Sequence, residues 1–230
     1  MNKITEIPII ILARSSCRRF PSKHLALLGG KPMIVGIVEN MKQFAPVILA
    51  TGEDESNDAL ADAACNAGAG VFRGHQHVWF LVLQTAVAYG FTKWIIYSGD
   101  CPFVEHRILP LIANAMNSVD ADCYSMELPF NGIEGVNVNG YHWRAWVSMG
   151  RMLRDKPAYE DNPWGLVDVS VVQTQHIIPA PWRNPRDTPV KASIDYPFEM
   201  AIANKIVEYC GGWPTSYDQI ISAYSNIKEL

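Results

Sequence analysis

The stretch IIILARSSCRRFPSKHLALLGGKPMI, at residues 9–34, joins an apolar run to a loop rich in cations. Residues 8–12 are continuously apolar, which is typical of a central parallel strand covered on both faces. Ligands of open α/β sheets collect at the carboxyl ends of such strands, where loop N–H groups and helix N-termini also bind phosphate. The stretch therefore predicts an anion site built from the cations of this loop, Arg14, Arg18, Arg19 and Lys23.

This loop lacks the glycine patterns of the two common phosphate-binding loops. Neither G-x-x-x-x-G-K-[ST] nor G-x-G-x-x-G follows the strand. Ser15 and Ser16 add hydroxyl donors to the cations. We therefore expect the site to hold an anion through side-chain charge more than through glycine backbone.

The same stretch resembles the signature of the sugar cytidylyltransferases. This family includes the acylneuraminate and deoxy-octulosonate CMP-sugar synthetases and the spore-coat polysaccharide cytidylyltransferase-like proteins. The matching positions are Ala13-Arg14, Arg19-Phe20-Pro21, Lys23, Leu25, Leu28 and Gly30-Lys31-Pro32-Met33. Further along, Ser98-Gly99-Asp100-Cys101-Pro102 resembles the family's G-D-x-P metal-binding turn, and Ser193-Ile194-Asp195-Tyr196-Pro197 resembles its C-terminal strand, aspartate and helix.

The resemblance implies an enzyme that couples CTP to a sugar acid or related acceptor, releases pyrophosphate and gives a CMP- or CDP-activated product for surface polysaccharide or related glycan biosynthesis. It implies Mg²⁺ as cofactor, held by Asp100 and Asp195, with Arg19, Lys23 and Asp100 as catalytic residues. The segment PFNGIEGV at residues 129–136 would contact the acceptor through Asn131 and Glu134. The nucleotide would be bound by Ala13, Arg14, Ser15, Arg19, Lys23, Thr51 and Arg73.

Simpler interpretations of some of these residues stay open. Asp195 precedes a predicted helix and could be an N-cap that accepts backbone N–H bonds. Thr51 could simply end a strand. Asn131 and Glu134 could belong to a glycine-rich hairpin turn.

The chain departs from its relatives after Phe72-Arg73-Gly74, where they carry an aspartate and an arginine in the next helix. The comparable positions are Val78 and Val82. We predict that these two valines form an apolar wall of the acceptor pocket and that the common acceptors, N-acetylneuraminate and 3-deoxy-octulosonate, are rejected. The departure also favours a second hypothesis, a non-catalytic nucleotide-binding relative. A third hypothesis, a glycosyltransferase, depends on the D-x-D pattern of Asp120 and Asp122.

Composition limits the partners that we expect. The chain has 230 residues, of which 49% are hydrophobic and 18% charged, and this fits a single domain over residues 1–230. A net charge of -4 gives no basic field for nucleic acid. Five scattered cysteines without C-x-x-C pairs indicate reduced thiols. With no signal-peptide pattern and no long apolar run, we expect a cytoplasmic protein without a membrane partner.

Alternating apolar segments predict an α/β fold, a doubly wound and mostly parallel sheet in a three-layer, nucleotide-diphospho-sugar-transferase-like (Rossmann-like) domain. The predicted strands lie near residues 8–12, 47–50, 70–72 and 94–97, and the helices near 32–43, 56–67, 77–90 and 105–117. After residue 120, strands at 122–127, 135–139 and 167–175 predict a mixed-sheet insertion or lid over roughly residues 120–175. The tryptophans in the later part of the sequence fit a hydrophobic core, a dimer surface or a face that stacks on a sugar. We expect the protein to be a homodimer.

Overall fold

The computed structural model describes residues 5–103, 105–126, 135, 138–153, 155, 173–177 and 190–227. In this part of the chain, seven strands form one sheet: β1 (Ile9–Leu12), β4 (Val47–Gly52), β5 (Gly70–Gly74), β6 (Lys93–Ser98), β7 (Cys123–Met126), β8 (Asn139–His142) and β9 (Thr174–Ile177). A small antiparallel ribbon contains β2 (Leu27–Leu28) and β3 (Lys31–Pro32). The helices are α1 (Met33–Met41), α2 (Asp58–Asn66), α3 (Val78–Tyr89), α4 (Ile108–Ser118), α5 (Trp143–Leu153), α6 (Pro197–Tyr209) and α7 (Tyr217–Asn226).

The sheet has the strand order β5-β4-β1-β6-β8-β7-β9, and β1 lies near its centre. β1 pairs in parallel with β4 on one side and with β6 on the other. The chain moves outward from β1 through β4 to β5 and then returns to place β6 on the opposite side of β1. Strand order therefore reverses at β1, which opens a crevice at the carboxyl ends of β1 and β6.

Two apolar layers cover the sheet, because side chains of β1 alternate between its faces. Ile9 and Ile11 pack with α1, α2, α4, α6 and α7, whereas Ile10 packs with α3 and α5. The predicted three-layer, mostly parallel α/β fold is confirmed. Among the described residues, no helix has the length and apolar character needed to cross a membrane.

The later strands differ in part from the prediction. β7 lies within the strand predicted at residues 122–127. β8 runs antiparallel to both β6 and β7. The bounds predicted for the next strand, residues 135–139, are wrong. β8 begins at Asn139 and leads directly into α5. Residues 167–172 lie outside the described part, and β9 begins at Thr174.

Helix α5 was not predicted, although its pattern carries a signal. Its buried residues Ala145, Trp146, Met149 and Leu153 recur at helical spacing. Trp146 is fully buried, and its indole N–H donates to the Trp79 carbonyl oxygen at 2.8 Å while the Trp79 indole N–H donates to the Trp146 carbonyl oxygen at 3.1 Å. Trp146 is therefore a core residue that joins α5 to α3.

The packing of α1 gives a stability prediction. Gly36 lies in the middle of α1, and a Cβ at this position would overlap the six-membered ring of Trp213. Alanine improves helix propensity by about 1 kcal/mol, but overpacking of this kind costs about 1–3 kcal/mol. We expect Gly36→Ala to lower the free energy of unfolding, measured by urea denaturation.

A double-mutant cycle isolates the cause of that loss. In a Trp213→Phe background the ring is smaller, so Gly36→Ala should cost clearly less than in the native background. An equal cost in both backgrounds would show that the clash with Trp213 is not its origin.

Candidate active site

A cleft of about 420 Å³ opens at the carboxyl ends of β1 and β6. The predicted cations Arg14, Arg19 and Lys23 line it together with Asp100. Ala13, at the end of β1, forms part of its floor. The loop after β1 and the turn after β6 thus bring together residues that are far apart in sequence, as expected from the strand order.

The loop after β1 is held by hydrogen bonds to Ser15. The Ser15 N–H donates to Asn57 Oδ1 at 2.9 Å, while its carbonyl oxygen accepts from the N–H groups of Cys17 at 2.9 Å and Ser22 at 3.2 Å. Ser22 has a left-handed backbone with φ of 53°, a conformation that favours glycine. Ser15 is buried, so its backbone fixes the loop.

Lys23 is the most constrained residue of the cleft. Its ammonium donates to the Ile194 carbonyl oxygen at 2.8 Å and lies 3.1 Å from Asp100 Oδ2 and 3.3 Å from Asp195 Oδ1. The residue is only 4% exposed. A buried charge is tolerated when it is paired and hydrogen-bonded in this way. Lys23 therefore connects three separate segments of the chain.

The carboxylate of Asp100 is held in its charged form. Burial by itself would raise the pKa of Asp100, but the charge of Lys23 and hydrogen bonds from Ser98, Lys23 and the Cys101 thiol hold this pKa below its usual value. The Ser98 hydroxyl donates to Asp100 Oδ1 at 2.5 Å. Asp100 is thus an anion at neutral pH, oriented toward Lys23.

Asp195 faces the cations rather than the helix that follows it. Its Oδ1 accepts from Arg19 Nη2 at 2.7 Å, and its Oδ2 lies 3.4 Å from Lys191 Nζ. The first N–H groups near α6 are instead satisfied by Glu199, which accepts from the backbone of Asp195 at 2.5 Å and of Tyr196 at 2.9 Å. The N-cap interpretation of Asp195 is therefore wrong.

Arg19 extends across the mouth of the cleft. Its guanidinium lies 5.4 Å from the centre of the Tyr196 ring, and Tyr196 in turn stacks on Phe198 with a centroid distance of 5.7 Å. Hydrogen bonding to Tyr196 and the charge of Asp195 raise the pKa of Arg19. Arg19 remains half-exposed, so this cation is accessible to an anion from solvent.

Two predicted nucleotide contacts, Arg73 and Thr51, do not line the cleft. The guanidinium of Arg73 pairs with Asp58 at 2.5 Å and donates to the Asp54 and Glu53 carbonyl oxygens at 2.8 and 3.1 Å. Thr51 is fully buried. Arg73 thus fastens the connection between β4 and α2 at the edge of the site. Arg14, in contrast, lines the cleft and donates to the Gln76 carbonyl oxygen at 2.5 Å.

The predicted acceptor contacts, Asn131 and Glu134, lie outside the described residues. The neighbouring Gly135 is described, with φ of +89°, and a Cβ there would collide with the backbone of Ser193. This close approach brings Gly135 next to the segment that carries Asp195. A side chain at position 135 would push the two segments apart.

Of the two valines predicted to line the acceptor pocket, one lines the cleft, and the prediction is wrong for the other. Val78 lines the cleft, whereas Val82 is fully buried in the core between α3 and the sheet. The second wall residue is Leu81, which lies three positions after Val78 and so shares its helix face. The prediction that common acceptors are rejected assumed that both valines line the acceptor pocket. Because Val82 lies in the core, it does not support that prediction.

The D-x-D pattern also has a structural explanation. Asp120 Oδ1 accepts from Arg144 Nη2 at 2.6 Å, and Asp122 Oδ1 accepts from Arg144 Nε at 3.0 Å. Both carboxylates therefore neutralise a cation of α5, outside the cleft lining. The pair gives no support to the glycosyltransferase hypothesis.

Sequence comparison gives matches to enzymes and to a biosynthetic protein. A 3-deoxy-manno-octulosonate cytidylyltransferase of Aeromonas salmonicida is 30% identical over 134 residues, which cover 55% of this chain and 52% of that protein. The spore coat polysaccharide biosynthesis protein SpsF of Bacillus subtilis is 29% identical over 145 residues, covering 59% of this chain and 60% of that protein. The chain thus matches about half the length of these curated relatives.

Comparison with solved structures supports the same fold. A cytidylyltransferase from Leptospira borgpetersenii superposes with a TM-score of 0.84 at 19% identity, covering 96% of this chain and 94% of that one. A CMP:2-keto-3-deoxy-manno-octonic acid synthetase complexed with CTP gives a TM-score of 0.58 at 15% identity, covering 87% and 97%. The family model described as "Cytidylyltransferase" matches residues 8–227, and the chain therefore belongs to the cytidylyltransferase family.

Proposed function

We propose that the protein is a Mg²⁺-dependent cytidylyltransferase that transfers the CMP group of CTP to a sugar acid or related acceptor and releases pyrophosphate. The product would be a CMP- or CDP-activated compound for surface polysaccharide or related glycan biosynthesis. The observation that carries this proposal is the meeting of Arg14, Arg19, Lys23 and Asp100 in one cleft, with the carboxylate of Asp195 paired to Arg19 and Lys23. Family membership and relatives named for 3-deoxy-manno-octulosonate and spore-coat polysaccharide support it.

Transfer of a nucleotidyl group requires positive charge around the leaving pyrophosphate and alignment of the attacking oxygen. Arg14 and Arg19 offer guanidinium groups that can form bidentate contacts with phosphate, and Lys23 offers a point charge. Arg19 also contacts Asp195, one of the two carboxylates that we assign to the metal. Together these cations would hold the triphosphate across the cleft.

The two carboxylates fit a hard divalent cation. Asp100 Oδ2 and Asp195 Oδ1 converge on one point, which the ammonium of Lys23 fills at 3.1 and 3.3 Å. No group of three or more metal-binding side chains occurs in the described part of the chain. Mg²⁺ commonly takes one or two carboxylates together with phosphate oxygens and waters. Asp100 and Asp195 would hold Mg²⁺, which would neutralise phosphate charge and lower the pKa of an attacking hydroxyl.

We further propose a cytoplasmic homodimer that uses small-molecule substrates and has no nucleic-acid or membrane partner. The five cysteines are free thiols, which supports a reducing compartment. The net charge of -4 supports the absence of a nucleic-acid partner. The insertion over roughly residues 120–175 is the proposed dimer-forming segment or lid.

The activity is tested by pyrophosphate release with each of the four nucleoside triphosphates against a panel of sugar acids and sugar or polyol phosphates. We expect release with CTP and Mg²⁺, and with one class of acceptor. CTP binding without release for any acceptor would support the non-catalytic hypothesis instead.

The role of Arg19 is tested by Arg19→Ala. Removal of one preorganised donor should lower kcat/KM. The decrease should correspond to a loss of about 2–4 kcal/mol of transition-state stabilisation. Arg18→Ala is the matched control, because Arg18 is exposed in the same loop and does not line the cleft. Equal losses in the two variants would indicate a general effect of loop charge rather than a contact of Arg19.

The metal assignment is tested by thermal unfolding with and without Mg²⁺. Mg²⁺ with CTP should stabilise the native protein, and Asp100→Asn and Asp195→Asn should each abolish the part that depends on the metal, because an amide keeps the shape and removes the charge. Asp120→Asn, outside the cleft, should retain the full shift. If both cleft variants keep the native shift, Asp100 and Asp195 are not the metal ligands.

A further inference from the structure

His24 is a cleft residue that the sequence analysis did not assign. It follows Lys23 in a short 3-10 turn, Lys23–Leu25, and the residue lines the cleft although it is only 3% exposed. Its ring packs against Gly99, where a Cβ would stand 3.3 Å from His24 Cδ2. The same Cβ would meet the Ala13 side chain and the Leu12 carbonyl oxygen. The imidazole therefore lies where β1 and β6 end.

The ring is buried without hydrogen-bond partners. Neither Nδ1 nor Nε2 of His24 forms a hydrogen bond within the described residues. Buried side-chain nitrogens are usually satisfied, so two such atoms in a ligand cleft require an explanation. The ring packs against Gly99 and lies close to the Arg14 backbone. The described residues thus leave hydrogen-bonding capacity of this ring unfilled, in a residue that lines the cleft.

The imidazole is neutral at physiological pH. Burial, followed by the charge of Lys23, lowers the pKa of His24 to about 4, against the opposing effects of Asp100 and the Arg14 backbone. A neutral imidazole has one N–H donor and one acceptor nitrogen. Its natural partner is a group that both donates and accepts. A hydroxyl has this property, whereas a fully ionised phosphate oxygen only accepts.

The place of His24 in the cleft narrows the choice of hydroxyl. Lys23, its direct neighbour, belongs to the proposed phosphate site, and the apolar wall of Val78 and Leu81 lines the same cleft and suits a base. In a nucleotide the ribose lies between the phosphates and the base. We propose that His24 hydrogen-bonds a ribose hydroxyl of the nucleotide bound in this cleft, an inference that rests on the proposed function.

The test measures binding of CTP, 2′-deoxy-CTP and 3′-deoxy-CTP by calorimetry in the presence of Mg²⁺. The native protein should bind CTP more tightly than at least one deoxy analogue. His24→Leu should bind CTP about tenfold more weakly, the scale of one neutral hydrogen bond together with an unsatisfied partner. This variant should also lose the preference for CTP over that analogue.

His106→Leu is the matched control. His106 also has a buried ring nitrogen without a partner, but it packs against Phe44 and does not line the cleft. It should leave CTP affinity unchanged. In native protein labelled with ¹⁵N-histidine, the His24 ring resonances should shift when CTP is added, a readout that does not depend on the folding of a variant.

Each alternative outcome is decisive. Native-like CTP binding by His24→Leu, or unmoved His24 resonances at saturating CTP, overturns the inference and leaves the proposed function intact. Equal weakening of all three nucleotides overturns the ribose assignment and indicates a phosphate contact. Failure of the native protein to bind CTP refutes the proposed function and the inference with it.

Discussion

The ammonium of Lys23 is buried between Asp100, Asp195 and the Ile194 carbonyl oxygen, and the candidate site depends on this contact. A lysine is almost never buried unless its charge is compensated, because desolvation of an isolated ammonium costs far more than one contact returns. The loop after β1, the turn after β6 and the segment before α6 must therefore meet. Two carboxylates held this close together would in turn repel each other without the cation. In the complex, substrate phosphates would contact the Lys23 ammonium and a divalent metal would contact the two carboxylates. The free protein thus already holds the charges that both ligands need.

The sheet makes this meeting geometrically simple. β1 lies between β4 and β6, so the loops that carry Lys23 and Asp100 leave neighbouring strands at the same edge. Asp195 arrives from the far end of the chain, and the Ile194 N–H donates to the Asp100 carbonyl oxygen at 2.8 Å, which fixes the two segments by their backbones. Gly99 and Gly135 allow the close approaches that complete the cleft, because a Cβ at either would overlap its neighbours. Side chains thus supply the charges of the site, and backbone contacts set the distances between the segments that carry them.

Much of this arrangement could be predicted from local sequence. Lys23 lies in the loop after β1 and Asp100 in the turn after β6, and their matches to a family motif located both the sheet edge and the site. Other features depend on partners that are distant in sequence. α3 is apolar on nearly every face, so its pattern could not show that Val78 faces the cleft while Val82 faces the core. The pairing of Arg73 with Asp58 and the contact of Asp120 and Asp122 with Arg144 arise only from tertiary packing. His24 carries no motif, and its importance appears only when its burial and missing partners are known.

The central claim is that Asp100, Asp195 and Lys23 form one binding centre for a metal–nucleotide complex. A crystal structure with CTP and Mn²⁺, with the metal located by its anomalous scattering, tests it most directly. We expect an anomalous peak bound to both carboxylates, with the triphosphate against Arg14 and Arg19 and the Lys23 ammonium in contact with phosphate oxygens. A structure in which CTP and Mn²⁺ bind elsewhere, while Lys23 keeps its contacts to both carboxylates, would contradict it.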